Sequence, residues 1–232
     1  MFSPGSLFDL AQTEHAALFD GAEFAWDALR GLRGYLQSHV RPAQHGRCDT
    51  GAVIGPCVFI GEGTVVEAGA MIQGPAIIGR NCEIRRGAYI RADVIVGEGC
   101  VIGNASELKH SLLFNGCQVP HFNYVGDSIL GHKAHLGAGA VLSNVKSLAG
   151  NVTVDVHDAH GAPLDTGLRK LGAMVGDHAE IGCNAVLNPG SIIGRRAVVY
   201  ALTSWRGVLP ADMIAKNRAP QEVVARRRSG TA

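Results

Sequence analysis

Residues 54–109 read IGPCVF IGEGTV VEAGAM IQGPAI IGRNCE IRRGAY IRADVI VGEGCV IGNASE LK. An aliphatic residue returns at every sixth position: Ile54, Ile60, Val66, Ile72, Ile78, Ile84, Ile90, Val96, Ile102 and Leu108. A period of six fits neither the 3.6-residue helical repeat nor a simple alternating strand, so the repeat is itself the structural unit. Two positions before each aliphatic sits a slim residue (Ala70, Ala76, Cys82, Ala88 and Cys100 are examples), and glycine often follows it, as at Gly61, Gly79 and Gly97. The pattern predicts a triangular prism of short parallel strands, three hexapeptides per coil, with the aliphatics pointing into a narrow axial core. Residue n then lies beneath residue n+18, one interstrand spacing of about 4.8 Å away.

Outward from this stretch, residues 1–45 carry a helical stripe at Ala25, Leu29, Leu32 and Leu36, flanked by Trp26 and Tyr35. This reads as a helical cap over an open solenoid end, with a partner-binding helix as the alternative. The prism is expected over 46–205, with its rhythm read on to Phe114 and then through Val125, Leu130, Leu136 and Leu142 at spacings of five, six and six. One coil, Asn115 to Gly126, is therefore irregular, and breaks in a regular scaffold tend to carry sites. Residues 143–172 form an insertion in which Val152, Val154 and Val156 alternate like a strand and Asp158 to Gly167 reads as a turn or loop. The repeat resumes at Val175, Ile181, Leu187, Ile193 and Val199, and 206–232 reads as a polar tail ending in Arg226, Arg227 and Arg228.

Composition suits a slim β core: 232 residues, 31 of them Gly, with only 6% aromatic residues. A formal net charge of +1 offers no bulk attraction to nucleic acid or an anionic membrane. No apolar run approaches the roughly 18 to 20 residues of a membrane span, and a cytoplasmic location is the expectation. The six cysteines include no CxxC pair, and Cys82 and Cys100 share the inward slot 18 residues apart, so they read as packing residues rather than a disulfide framework.

Arg91 and Lys109 each follow an inward aliphatic 18 residues apart, so they should stack on one corner of adjacent coils. Such a pair either binds an anion such as a phosphate or remains two solvated cations. His121 lies 12 residues after Lys109, two faces on, in the irregular coil, and histidine is the side chain most often used as a general base.

These residues carry a resemblance. Arg91, Glu107-Leu108-Lys109, the run Pro120-His121-Phe122-Asn123-Tyr124-Val125-Gly126-Asp127, and Leu136-Gly137-Ala138-Gly139-Ala140 to Asn144 resemble the acetyltransferase domain of the bifunctional bacterial enzyme that makes UDP-N-acetylglucosamine. With Arg169-Lys170-Leu171-Gly172 included, residues 50–220 are similar to the C-terminal portion of archaeal-type sugar-1-phosphate nucleotidyltransferases. The resemblance implies a left-handed parallel β-helix and a homotrimer with active sites between neighbouring subunits. It also implies acetyl transfer from acetyl-CoA to the amine of an amino-sugar phosphate or a related sugar nucleotide, without a metal. His121 then falls on the catalytic base; Arg91, Lys109, Tyr124, Asn144 and Lys170 fall on substrate-binding positions; Ala138, Cys183, Ala201 and Arg218 fall on positions that approach acetyl-CoA. Three positions depart from the pattern: His135 replaces an Asn, Val145 an aromatic and Cys183 a serine. Nothing before residue 50 offers the glycine-rich loop that opens a nucleotidyltransferase domain.

Two other classes stay open. One is a zinc enzyme resembling γ-class carbonic anhydrases, for which His110, His121, His132 and His135 are the ligand candidates. The other is a non-catalytic binding or regulatory trimer.

Overall fold

The computed structural model of the protein describes residues 2–155, 162–217 and 222–225. Three parallel sheets of nine, nine and eight strands wrap into a prism, here called faces A, B and C in the order the chain visits them, and a separate antiparallel hairpin pairs Thr153–Val154 with Leu164–Asp165. This is the β-helix of hexapeptide repeats expected from the period, in the fold class whose left-handed sense the resemblance implies. Ile54, Ile72, Ile90, Leu108, Val125, Leu142 and Leu187 form the inward column of face C, and comparable columns on A and B complete an axial core whose members are almost all fully buried. Cys82, Cys100 and Cys117 lie in that core as free thiols.

The period slips where the coil shortens. Register partners are 18 residues apart from Val58↔Ala76 through Ile90↔Leu108, then 17 apart at Leu108↔Val125 and Val94↔Ser111. The inward residue after Leu108 is Leu113, not Phe114; Phe114 turns outward to join a second hydrophobic cluster. The rhythm thus breaks one face earlier than the sequence reading placed it, because a residue has been dropped at the corner around His110.

The prism also runs past the expected boundary at Arg206. Val208–Leu209 and Ile214–Ala215 pair with Ile192–Ile193 and Val198–Val199 at an offset of 16, which a fixed period of six does not detect. At the other end, Ala43–Gln44 already pairs with Phe59–Ile60.

Face A explains the N-terminal segment. Its outward positions are Phe59, Ile77, Ile95, Leu112, Ile129, Met174 and Ile192, all apolar, whereas the outward positions of face C include Tyr89, Glu107 and Tyr124. The helix Asp27–His39 lays Ala28, Leu29, Leu32 and Leu36 into a cluster with Trp26, Phe8, Phe19 and this row. Val152, Val154 and Leu171 of the insertion join the same cluster. The segment read as an end cap therefore lies along one side of the prism, where a whole face needed covering. Arg33 ties the helix to the corner between faces C and A, donating to Asp93 Oδ2 at 2.8 and 3.0 Å. Asp93 is buried, so this pair removes a charge that would otherwise be costly inside the protein. Val156 and Asp158 of the insertion lie outside the described residues, as do Arg218 and Arg226 to Arg228.

Candidate active site

The predicted residues gather on two corners that flank face C. His121 ends the strand Gln118–His121 on face B, at the corner leading into face C. It pairs with Asn104 one coil below. From there a ladder of backbone bonds climbs the corner: Gly139 N–H donates to the His121 carbonyl, Asn184 N–H to the Ala138 carbonyl, and Leu202 N–H to the Cys183 carbonyl, each at 2.9 Å. His121, Ala138, Cys183 and Ala201 thus occupy one column on successive coils. The single-coil offset holds across the insertion because residues 143–172 leave between faces C and A and do not disturb this corner.

Two features shape the turn at His121. Gly103, in the coil beneath, has no Cβ, and any side chain there would collide with the Pro120 carbonyl. The buried Asn123 then pins the turn: its Oδ1 accepts from the His121 N–H at 3.0 Å and from Ser106 Oγ, while its Nδ2 donates to the Gly137 carbonyl at 2.8 Å. Between them Phe122 is held at φ +53° with its ring exposed, a left-handed conformation uncommon for a bulky side chain. The exposed imidazole has no ion pair or hydrogen bond among the described residues. Asn123 carried no role in the sequence reading; the signal was its place in the short coil, two residues after the histidine.

The second corner lies between faces C and A. Arg91 and Lys109 are in register on adjacent coils, as the 18-residue spacing required. They are not two bare cations. Arg91 Nη1 donates to Glu107 Oε1 at 2.9 Å, and Lys109 Nζ lies 3.7 Å from Asp127 Oδ2. Asp127 is buried and is the centre of the corner: it also accepts from His110 Nδ1 at 2.9 Å and from the Asn144 side-chain amide. Burial pushes its carboxyl up, but the bonds from His110 and Asn144 and the charges of His110 and Lys109 outweigh that and hold it below the usual carboxylate range. Tyr124 lies beside it on face C, with Gly126 leaving the room its hydroxyl and the Asn144 amide occupy. Burial, then the charges of Asp127 and Glu107, raise the Tyr124 phenol. Lys170 is exposed at the end of the insertion, just before Leu171 N–H donates to the Asn144 carbonyl.

His121 and the cation pair do not touch within one chain. Five residues separate His121 from Gly126, the register partner of Lys109, so the two corners stand no more than about 18 Å apart along face C. Ala138, Cys183 and Ala201 share the His121 corner, and Arg218 lies outside the described residues.

The histidines weighed as zinc ligands are dispersed. His110 is held by Asp127 at the corner between faces C and A, His132 by the Asn115 carbonyl at the corner between A and B, and His135 by Glu180 on face B, one coil above Gln118 rather than above His121. Among the described residues no group of three or more His, Cys, Asp or Glu is arranged to hold a metal. A cavity of about 820 Å³ lies elsewhere, between the N-terminal segment and face A, lined by His15, His39, His45, Phe59, Ile77 and Arg80. Its Arg80 is engaged with Glu98 and Glu14. Among the described residues no helix is long and apolar enough to cross a membrane.

With this geometry established, similarity to known proteins falls on the same stretch. A family profile described as the GMPPB C-terminal domain matches residues 72–159. The bifunctional sugar-1-phosphate nucleotidylyltransferase/acetyltransferase of Sulfurisphaera tokodaii is 37% identical over 98 residues, 42% of this chain and 24% of that protein. The bifunctional protein GlmU of Methanococcus maripaludis is 35% identical over 99 residues, 43% of this chain and 23% of that protein. Among solved structures, a perosamine N-acetyltransferase variant from Caulobacter crescentus, determined with CoA and GDP-perosamine, aligns over 72% of this chain and 51% of its own, at 22% identity and a TM-score of 0.29. By fold the chain is a hexapeptide-repeat β-helix. Over 98 and 99 residues it is similar to bifunctional sugar-1-phosphate nucleotidyltransferases of the GlmU type, and the chain spans about a quarter of the length of these curated relatives.

Proposed function

We propose that the protein transfers an acetyl group from acetyl-CoA to the amine of an amino-sugar phosphate or a related sugar nucleotide, working as a cytoplasmic homotrimer. The observation that carries this reading is the arrangement around face C: an exposed histidine stacked beneath Ala138, Cys183 and Ala201 on one corner, and Arg91, Lys109, Asn144 and Tyr124 about the other. The relatives with this hexapeptide region include one named as a nucleotidylyltransferase/acetyltransferase.

In this mechanism Arg91 and Lys109, with Lys170, hold the phosphate by charge-assisted hydrogen bonds, and Tyr124 and Asn144 position the sugar. Acetyl-CoA runs along the His121 corner past Ala138, Cys183 and Ala201, and Arg218 falls, by the resemblance, on a further position that approaches it. The amine nitrogen attacks the thioester carbonyl carbon, and His121 takes the proton the amine loses. The tetrahedral oxyanion is stabilised by backbone N–H donors, then collapses with cleavage of the C–S bond. CoA leaves as the thiolate and recovers a proton from the imidazolium. Each active site is read as lying between neighbouring subunits, which is the role the trimer plays.

A screen of CoA release over amino-sugar phosphates and nucleotide-linked amino sugars tests the reading. Acetyl-CoA-dependent turnover of at least one acceptor is the expected result, with a trimer by sedimentation. No turnover across the panel, together with no binding of CoA, would leave the non-catalytic reading in its place.

A further inference from the structure

The buried carboxylate of Asp127 takes three side-chain partners from two other coils: the His110 imidazole and the Lys109 ammonium from the coil below, and the Asn144 amide from the coil above. A corner that only needed fastening would not require this. Asp177, also buried at a corner of the prism, shows the fastening arrangement: it accepts from the backbone N–H groups of Asp9 and His132, with Arg195 at 3.5 Å. The backbone around Asp127 is already satisfied without its carboxylate, since its own N–H donates to the Lys109 carbonyl at 3.0 Å and its carbonyl accepts from Gly172 at 2.8 Å. Its carboxylate therefore serves side chains, at the cost of burying a charge. Two of those side chains, Lys109 and Asn144, are ones assigned above to the acceptor.

We infer that Asp127 is the positioning residue of the acceptor site, fixing Lys109, His110 and Asn144 in one array, and that His110 belongs to that array as a further acceptor-contacting residue. The inference rests on the acetyl-transfer reading. The bond between Nδ1–H and Asp127 orients the His110 ring, leaving Nε2 as the ring atom that can hydrogen-bond a hydroxyl of the sugar. The array thus joins a cation for the phosphate with an imidazole for a hydroxyl beside it, the pairing a sugar phosphate offers. The substrate class that fits is a sugar phosphate with a hydroxyl near its phosphate end, rather than a simple phosphate.

The test is calorimetric binding of glucosamine-1-phosphate and of inorganic phosphate, without acetyl-CoA, to wild type, Asp127→Asn and His110→Ala, with kcat and both KM values measured alongside. Asp127→Asn is expected to weaken glucosamine-1-phosphate binding roughly 10-fold to 100-fold, the scale of charge-assisted bonds lost from Lys109 and His110, while the KM for acetyl-CoA stays within about twofold. His110→Ala, at a partly exposed position, is expected to weaken glucosamine-1-phosphate several-fold and inorganic phosphate little. A merely structural role would instead lower the melting temperature and raise both KM values together. Wild type that binds glucosamine-1-phosphate while both variants bind it equally well would overturn the inference and leave the acetyl-transfer reading standing. Wild type that turns over other acceptors but binds neither phosphate would overturn the inference by removing the phosphate corner, and absence of any turnover would remove the reading beneath it.

Discussion

The carbonyl of His121 accepts from the amide of Gly139 at 2.9 Å, so the imidazole stands one coil beneath Ala138. This vertical relationship links the candidate base to the candidate acetyl-CoA column through backbone alone. It depends on face B and its corner keeping register while the coil shortens to 17 residues, and Asn123 supplies the bonds that hold it.

Asn123→Ala should therefore misplace His121 without touching substrate. It removes the partner of the His121 amide and of the Gly137 carbonyl inside the protein, which costs about 1 to 3 kcal/mol of stability. The expected kinetic result is a lower kcat with little change in acceptor KM. Equal kcat in wild type and variant would show that the turn is held by the backbone ladder alone.

The paired carboxylates separate the two basic residues. Arg91→Ala leaves Glu107 partly exposed and able to solvate, whereas Lys109→Ala removes a cation from the buried Asp127. Both should weaken acceptor binding by about 1.5 to 3 kcal/mol, read as KM, with acetyl-CoA affinity unchanged. Only Lys109→Ala should also lower thermal stability measurably. Unaltered acceptor KM in both variants would return the two side chains to solvated charges.

Acid sensitivity should come partly from the N-terminal segment. His15 is lowered to about 4 by burial and by the nearby His39, with its Nδ1 3.0 Å from the Tyr35 hydroxyl. Between the ordinary histidine value near 6.5 and about 4, the unfolded chain binds a proton that the folded chain does not. Stability from this group is thus full above about 6.5 and falls as pH drops toward 4. Melting curves from pH 7.5 to 4 should show a decline that is shallower in His15→Gln. Parallel declines in the two proteins would assign the acid sensitivity to other groups.

The axial core was legible because Ile54 to Leu108 repeat without a slip, and the same arithmetic put Arg91 beneath Lys109. It failed where one residue was dropped. Phe114 matched the period, but the chain turned a residue early, so Leu113 filled the core and Phe114 packed beside Phe8 and Phe19. The covered side of the prism is written in the outward positions Ile77, Ile95, Leu112 and Ile129, a signal of one residue per coil that is weaker than the inward repeat beside it. The role of Asp127 was illegible for a related reason: its 17-residue separation from His110 becomes a contact only once the coil is known to have shortened.

The central claim is that His121 is the general base of an acetyl transfer. Steady-state CoA release by wild type and His121→Ala, on the acceptor found by the screen, measures it most directly. The variant should keep its fold and its acetyl-CoA binding, because the imidazole is exposed outside the core, while kcat falls by about 10²- to 10⁴-fold and the acid limb of the pH profile disappears. A His121→Ala protein that turns over the acceptor at a near-normal kcat would contradict the mechanism, whatever the fate of the fold and the acetyl-CoA column.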